Sequence, residues 1–259
     1  MKIISWNVNS LNVRLPRVLA LLERHAPDVV CLQEIKAETA RFPTEVFESA
    51  GYKAECHGQK TYNGVALLVK SPAAPTDVLR GIPDGDEDFQ ARVIAATVLG
   101  VRVFSVYVPN GQEVGSDKYG YKLSWLRRFT RYLIESHKHY ERIIVAGDFN
   151  IVPDDRDIWD AHAWRGKILC SDDERAAYRA VLSTGLSDSF RLFDQPAGVY
   201  SWWDYRQLGF QKNHGMRLDH ILLSSSLADQ CVSSGIDRDE RKGEKPSDHA
   251  PAVAEITGV

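Results

Sequence analysis

Polar side chains with catalytic potential stand next to apolar runs along the whole of this 259-residue chain. Glu34 follows an early apolar run, Asp148 and Asn150 follow a central one, and Asp248 and His249 precede the last one. Apolar runs of this length are typical of buried strands, and strand-end loops are a usual place for functional groups. We therefore expect these side chains to meet at one rim of a sheet structure.

The chemistry expected of such a rim follows from its acids. Glu34, Asp148, Asp219 and Asp248 each lie beside apolar sequence, where an unpaired charge is costly. Clustered carboxylates raise one another's pKa, and a divalent cation relieves their repulsion. Oxygen ligands without thiolates favour Mg²⁺, with Mn²⁺ as the alternative. The candidate metal ligands are Asn7, Glu34, Asp148, Asn150, Asp248 and His249. For any single acid, a helix cap or a surface ion pair remains an alternative interpretation.

His249 needs a partner other than its neighbour Asp248, because adjacent residues of a strand point in different directions. We expect Asp219 to be that partner, since a carboxylate fixes the tautomer of an imidazole and stabilises its charged form. A structural histidine is the alternative interpretation.

Aromatic and basic residues alternate in a segment near residue 205. Trp202, Trp203, Tyr205 and Arg206 follow one another closely. Rings can stack on bases while cations contact phosphates, so this composition is typical of nucleic-acid binding. The alternative is that the tryptophans belong to the core, and we expect one of the two to be buried.

The elements that would position these groups alternate along the chain. Apolar runs predict strands, and apolar residues at helical spacing predict helices. The predicted strands are 3–8, 29–32, 65–69, 93–99, 101–108, 142–147, 218–223 and 252–256, and the predicted helices are 15–26, 41–50, 122–138 and 172–185. Many strands with few helices indicate an α/β fold of two sheets packed face to face with helices outside. No composition shift divides the chain, so we expect one domain over residues 1–259.

Composition excludes several classes of protein. Lys and Arg total 32, Asp and Glu total 35, and the net charge of −3 argues against a nonspecific polycation. We find neither a signal peptide nor a membrane span, and the four cysteines fit no zinc site. These features favour a cytoplasmic protein with reduced thiols that does not act at a membrane.

Eight motifs in order carry a resemblance to a known family. They are 4–10, 32–34, 62–66, 106–111, 147–150, 202–206, 217–220 and 246–251. This series resembles the bacterial exonuclease III and AP endonuclease group of the endonuclease/exonuclease/phosphatase superfamily, from Met1 to about Ile256. The resemblance implies a deoxyribonuclease-I-like, four-layer sandwich of two mostly antiparallel sheets flanked by helices.

The resemblance also implies roles for the candidate residues. Glu34 would be the main metal ligand, with Asn7 and Asp248 assisting directly or through water. Asp148 would activate the attacking water or protonate the leaving oxygen, and Asn150 would orient the nucleophile or stabilise the transition state.

Contacts to the substrate follow from the same resemblance. Tyr107 and His249 would contact the phosphate, with His249 oriented by Asp219. Trp202 would line the pocket for a base-free sugar, beside Met216, a position where relatives often have Leu or Trp. The remaining predicted DNA-binding residues are Asn63, Arg92, Asn110, Tyr205 and Arg206.

The sequence therefore predicts a Mg²⁺-dependent, monomeric DNA repair phosphodiesterase in which water activated at the metal hydrolyses the phosphodiester bond. Its substrate would be duplex DNA with abasic sites or 3′ ends, cleaved as an abasic-site endonuclease, a 3′–5′ exonuclease and a 3′-phosphatase. Two alternatives stay open: a catalytically silent nucleic-acid-binding regulator, and a phosphatase for phosphates other than DNA.

Overall fold

Two six-stranded sheets form the centre of the molecule in the computed structural model, which describes residues 1–86 and 88–259. The first sheet, sheet A, has the order β13-β14-β1-β2-β4-β3, and the second, sheet B, has the order β5-β6-β7-β8-β12-β9. A separate two-stranded ribbon consists of β10 and β11. The strands are β1 (Lys2–Asn7), β2 (Val29–Gln33), β3 (Tyr52–His57), β4 (Val65–Lys70), β5 (Thr76–Arg80), β6 (Val93–Val98), β7 (Val101–Tyr107), β8 (Ile143–Asp148), β9 (Leu186–Asp188), β10 (Trp202–Trp203), β11 (Gly215–Met216), β12 (Asp219–Ser224), β13 (Cys231–Ile236) and β14 (Ala252–Ile256).

Six α-helices belong to the described part of the chain. They are α1 (Leu11–His25), α2 (Thr44–Ser49), α3 (Asp117–His137), α4 (Ala161–Trp164), α5 (Asp172–Leu182) and α6 (Ser225–Ala228). Leu21 of α1 packs with Ile4 outside sheet A, and Phe129 of α3 packs with Phe104 outside sheet B. Ile3, Leu67 and Val103 belong to the apolar layer between the sheets. The expected four-layer α/β sandwich is confirmed.

Each sheet is antiparallel except for a single parallel pair among the described strands: β1 with β2 in sheet A, and β7 with β8 in sheet B. Parallel strands end on the same side of a sheet. At these ends Asn7 is in register with Gln33, and Tyr107 is in register with Asp148. The two parallel pairs bring the ends of four strands to one rim, where Asp219 also begins β12 opposite Asp148.

Some predicted elements differ from those observed. The strands β3 and β5 were not predicted, because their exposed polar residues interrupt the apolar pattern. The predicted helix over 41–50 is shorter, since Pro43 separates α2 from a preceding 3₁₀ turn. Helix α1 begins at Leu11, four residues before the predicted start, so that Pro16 lies inside the helix.

Helix α3 differs from the predicted helix in three respects. It begins at Asp117, five residues before the predicted start, because the Ser116 hydroxyl caps it by accepting the Tyr119 N–H. The helical spacing of the apolar residues predicts that Ile134 is buried, but its side chain is 48% exposed. The clustering of Arg127, Arg128 and Arg131 predicts a solvated face, but Arg128 is buried and donates to Asp84 and Asp88. None of the helices in the described part of the chain is long and apolar enough to cross a membrane.

A buried charge network ties the turn after β8 to the beginning of β12. The Arg217 guanidinium donates from Nε to Asp157 at 2.7 Å and lies 2.8 Å from Asp188. Burial alone would raise the pKa of the Asp188 carboxyl, but Arg217 and His220 hold that pKa well below its usual range. The network therefore stabilises the fold above the usual titration range of an aspartate, and this contribution is lost as the pH falls through the depressed pKa.

Removal of the central cation of this network tests its contribution. Arg217→Met should lower the free energy of unfolding by about 3–5 kcal/mol, because Asp157 and Asp188 would remain buried without the cation that they share. Urea unfolding at neutral pH measures this change. The control is Arg41→Met, which removes an exposed ion pair with Glu38 and should leave the midpoint unchanged. Equal losses in the two variants would contradict the assignment.

Candidate active site

Three groups able to bind a cation converge where the parallel pairs of the two sheets end. Glu34 follows β2, Asp148 ends β8, and His249 precedes β14. One ligand atom from each lies within 4.8 Å of the other two. The acids and the histidine that the sequence placed far apart are thus close enough to act on a single phosphate group.

Asn7 joins the carboxylates of the two sheets. Its side-chain amide donates to Glu34 Oε1 at 2.8 Å and to Asp148 Oδ2 at 2.9 Å. The amide oxygen accepts the Asn9 N–H at 2.9 Å. In this arrangement Asn7 orients the two carboxylates, while its own oxygen is already bonded. Direct metal ligation by Asn7 stays a prediction.

His249 lies between two buried carboxylates of sheet B. Its Nδ1 is 2.8 Å from Asp219 Oδ2, and its Nε2 is 3.8 Å from Asp148 Oδ2. Burial opposes the charged imidazolium, but Asp219 and Asp148 together raise the pKa of His249 to about 10. A protonated imidazole carries a proton on each nitrogen and cannot bind a metal. Metal ligation by His249 stays a prediction, and this geometry favours a positively charged donor.

The carboxyl group of Asp148 has a raised pKa. Burial raises its pKa to about 7, with Asp219 adding to the rise, while His249 and the Asn7 amide act in the opposite direction. A carboxyl with a pKa near neutral can accept and return a proton at physiological pH. Gly147 allows β8 to approach β7 here, since a Cβ at this position would lie 2.0 Å from the Val106 carbonyl oxygen.

Asn150 lies beside Asp148 in a left-handed backbone conformation, with φ of 49°. Its backbone N–H donates to Asp148 Oδ1 at 2.9 Å, and its side-chain amide donates to Asp148 Oδ2 at 3.3 Å. Asn110 in turn donates to Asn150 Oδ1 at 3.1 Å. Asparagine tolerates this backbone region better than most residues, which explains why an amide can be fixed so close to the carboxylate.

Asp248 lies outside the three-residue cluster formed by Glu34, Asp148 and His249. Its Oδ1 accepts from the Asn9 amide at 3.0 Å, and its Oδ2 accepts from the Trp202 indole N–H at 3.1 Å. Asp248 therefore connects the predicted metal region to the predicted sugar pocket. Its metal ligation stays a prediction.

A groove of about 770 Å³ opens beside the cluster. Asn63, Arg92, Tyr107 and Asn110, all predicted to contact substrate, line it together with Lys118. Arg92 stacks 5.0 Å above the Tyr107 ring. Burial raises the pKa of the Tyr107 hydroxyl well above its usual value, and Glu34 and Asp148 add to this shift. The hydroxyl thus remains a proton donor, as the predicted contact with a phosphate requires.

The predicted aromatic segment divides between surface and core. Trp203 is buried and Trp202 half-buried. Tyr205 is exposed and donates to the Pro246 carbonyl, while exposed Arg206 is paired with Asp204.

Met216 pairs with Trp202 in the two-stranded ribbon and is only 1% exposed. Its side chain supports Trp202 from within an apolar cluster, so a direct contact between Met216 and DNA stays a prediction.

Sequence reasoning missed three residues that shape the site. Lys36 lies 3.0 Å from Glu34 Oε2 and donates to Asn9, so a cation already balances the glutamate from the outside. Ser247 donates to the Asn7 carbonyl and accepts the His249 N–H. Lys122, taken as a helix-start residue, is buried and bonds to the backbone of Asn110 and Asn150. Its spacing with Leu126, Phe129 and Leu133 on one helical face was an available signal.

The donor set fits a hard divalent cation. Glu34 and Asp148 offer carboxylate oxygens within one cluster, and no cysteine is part of that cluster. Asp219 Oδ1 is buried without a hydrogen-bond partner among the described residues. Clustered carboxylates, one of them with a buried oxygen that accepts no hydrogen bond from the described residues, favour a bound cation.

Comparison with known proteins is decisive for the family. Residues 4–249 match the Endonuclease/Exonuclease/phosphatase family. The chain belongs to this family. Exodeoxyribonuclease III of Haemophilus influenzae is 42% identical, over 99% of this chain and 100% of the relative.

Solved structures agree. The 3′ phosphatase NExo from Neisseria, bound to product DNA hairpin, superposes with a TM-score of 0.96 at 43% identity, over 99% of each chain. An AP endonuclease from Archaeoglobus fulgidus superposes with a TM-score of 0.93 at 35% identity, again over 99% of each chain.

The charge on His249 can be measured directly. Asp219→Asn should lower the pKa of His249 from about 10 toward its ordinary value of 6.5, because one of the two stabilising carboxylates is removed. In the parent, the raised pKa stabilises the fold fully below pH 6.5, and this contribution is lost as the pH rises through about 10. Titration of the imidazole Cε1 proton by NMR, in cation-free protein, follows the change.

The matched control is Asp237→Asn. Asp237 lies 2.8 Å from His25 on α1 and does not contact His249. This substitution should leave the His249 titration unchanged. A His249 pKa near 6.5 in the parent itself would contradict the proposed charge state.

Proposed function

We propose that this protein is a Mg²⁺-dependent DNA repair phosphodiesterase that acts on duplex DNA. The observation that carries the proposal is the cluster of Glu34, Asp148 and His249, with ligand atoms within 4.8 Å of one another, beside a polar groove. Membership in the Endonuclease/Exonuclease/phosphatase family supports it. Further support comes from the 42% identical exodeoxyribonuclease III and from the Neisseria 3′ phosphatase bound to product DNA hairpin.

Glu34 is the main residue that would hold the Mg²⁺, with Mn²⁺ as the alternative ion, and Asp148 lies in the same cluster. When bound, such a cation stabilises the negative charge that develops on the phosphate oxygens and favours deprotonation of water. Asn7 keeps both carboxylates in place through its two donated hydrogen bonds.

The protein's own groups account for the movement of protons and charge. Asp148, with its pKa raised to about 7, is suited to take a proton from the attacking water or to supply one to the leaving oxygen. His249, held charged by Asp219, faces the same position as a fixed donor. Tyr107 and the Asn150 amide add neutral donors, and donors fixed before the reaction stabilise developing charge effectively.

The substrate contacts are inferred from the groove and the aromatic segment. Asn63, Arg92 and Asn110 line the groove and would contact backbone phosphates. Half-buried Trp202 would face a base-free sugar, with Met216 supporting it, and exposed Tyr205 and Arg206 would contact the flanking strand. We infer activity at 3′ ends and at abasic sites, in proportions set by the segment over residues 153–170.

The setting of the reaction is part of the same proposal. We infer a monomer that forms one domain over residues 1–259 and works in the cytoplasm. The four free cysteines support a reducing compartment.

Hydrolysis by the parent and by Asp148→Asn tests the proposal. The parent should cleave an abasic duplex, a 3′-recessed duplex and a 3′-phosphorylated duplex in Mg²⁺. Asp148→Asn should lower kcat by about 10²–10⁴-fold on each, because the amide cannot exchange the proton. Denaturing electrophoresis and phosphate release measure the products.

The control is Asp229→Asn, which makes the same chemical change at an exposed residue after α6 and should leave kcat unchanged. Full activity in chelator, or an Asp148→Asn variant as fast as the parent, would refute the mechanism. Tight DNA binding without turnover would favour a regulatory protein. Turnover of non-DNA phosphates alone would favour the phosphatase alternative.

Cation binding gives a separate test. Mg²⁺ at about 100 times its Kd should stabilise the parent by about 2.7 kcal/mol, since the ion binds only the folded protein. Glu34→Gln should lose most of this gain, while Glu45→Gln, an exposed change on α2, should retain it. Thermal unfolding with and without Mg²⁺ measures both. A gain that persists in Glu34→Gln would place the cation elsewhere.

A further inference from the structure

We propose that the buried ion pair of Lys122 and Glu174 is a positioning element that aligns the Asn110 and Asn150 loops for the reaction. Lys122 belongs to α3 and Glu174 to α5, and the side chains of both are 0% exposed. Neither side chain reaches the surface on which DNA would bind. The inference rests on the proposed function, because it assigns a supporting pair to that same site.

Lys122 uses every proton of its ammonium group. The Nζ donates to the Asn150 carbonyl at 2.6 Å, to the Asn110 carbonyl at 3.1 Å and to Glu174 Oε1 at 2.5 Å. An ammonium has three N–H donors, so no proton remains for another partner. Among the residues that the structure describes, no other donor reaches either carbonyl.

These carbonyls lie where regular structure has ended. The strand β8 stops at Asp148, and Asn150 follows in the left-handed region with φ of 49°. No neighbouring strand can satisfy its carbonyl there, and Asn150 is only 5% exposed. A buried carbonyl needs a partner, and Lys122 supplies it. The lysine thereby fixes the backbone of a loop that would otherwise be free to relax.

Glu174 extends the same network to a third segment. Its Oε1 also accepts the Leu169 N–H at 3.0 Å, and its Oε2 accepts the Ser171 N–H at 3.1 Å and the Ser171 hydroxyl at 2.7 Å. This carboxylate is thus both part of the α5 capping box and the counter-ion of Lys122. The end of the 153–170 segment and the two asparagine loops are therefore held by a single pair.

The pair acts on the chemistry through Asn150. Asn110 donates to the Asn150 side-chain oxygen, and Asn150 donates twice to Asp148. A shift of the Asn150 backbone therefore moves its amide and the Asp148 carboxylate together. Displacements of about 1 Å at reacting groups can lower rates by about 10²-fold.

Two variants separate positioning from simple stabilisation. Lys122→Met removes both bonds to the loop carbonyls and leaves Glu174 buried without a cation. Lys122→Met combined with Glu174→Gln removes the same bonds but no longer buries an unpaired charge. We expect the double variant to recover part of the lost Tm while kcat stays about 10–10²-fold below the parent in both variants, with KM near the parent's.

The matched control is Arg102→Met. Arg102 is another buried cation that bonds to a backbone carbonyl, that of Asp77, but it lies at the far end of β7 from Tyr107. This variant should lose Tm without a loss of kcat on the 3′-phosphorylated duplex. Recovery of kcat together with Tm in the double variant, or an unchanged kcat in Lys122→Met, would overturn the proposal.

A measurement without catalysis distinguishes this proposal from the proposed function. In ¹⁵N-labelled protein, the side-chain amide signals of Asn110 and Asn150 should shift in both Lys122 variants and stay in place in Arg102→Met. Unchanged asparagine signals would refute the positioning role even in an active enzyme. A parent that hydrolyses no DNA would refute the proposed function, while the shifts would still support the positioning role.

Discussion

Two buried carboxylates, Asp148 and Asp219, lie directly opposite each other on neighbouring strands. Their mutual repulsion must be offset by a nearby positive charge. Like charges opposite each other destabilise a sheet. His249 supplies the compensation, since it contacts Asp219 directly and lies near Asp148. It comes from the loop before β14, which belongs to the other sheet. The candidate site therefore depends on an electrostatic contact that joins one sheet to a loop of the other.

Much of the fold could be predicted because burial leaves a clear pattern. The runs that form β1, β2, β4, β6, β7, β8, β12 and β14 are mostly apolar. The capping box of Ser171 and Glu174 at the start of α5 is a pattern of neighbouring residues, so it too is visible in the sequence. Strands such as β3 and β5 were not predicted, because one face of each is exposed and its polar side chains interrupt the apolar run. Such strands are stabilised by the strands beside them, and this contribution is not visible in a short stretch of sequence.

The site divides in a similar way. Glu34, Asp148 and His249 stand at the ends of apolar runs within recognisable motifs, so their grouping could be expected before any coordinates. The contacts of Lys36 and Lys122 could not, because Lys36 donates to Asn9 and Lys122 to Asn150, and each partner is far away in the chain. The helical spacing of Lys122 with apolar residues is a signal of burial, but only the packing of α3 against α5 reveals Glu174 as its partner. Whether Asn7 and Asp248 bind metal stays a prediction, since the oxygens that they would offer already accept hydrogen bonds.

The single parallel pair in each sheet makes the geometry of the site depend on how the two sheets are aligned. Sheet A contributes Asn7 at the end of one such pair, and sheet B contributes Tyr107 and Asp148 at the end of the other. The centre is thus made of two halves that belong to different rigid layers and meet only at their common border. Its geometry is set by how the layers are seated on each other, through side chains such as Ile3 and Val103 that never approach a phosphate. Sliding of the layers by a fraction of a side chain would separate the halves without changing any residue of either, so turnover reports on the alignment of the entire sandwich.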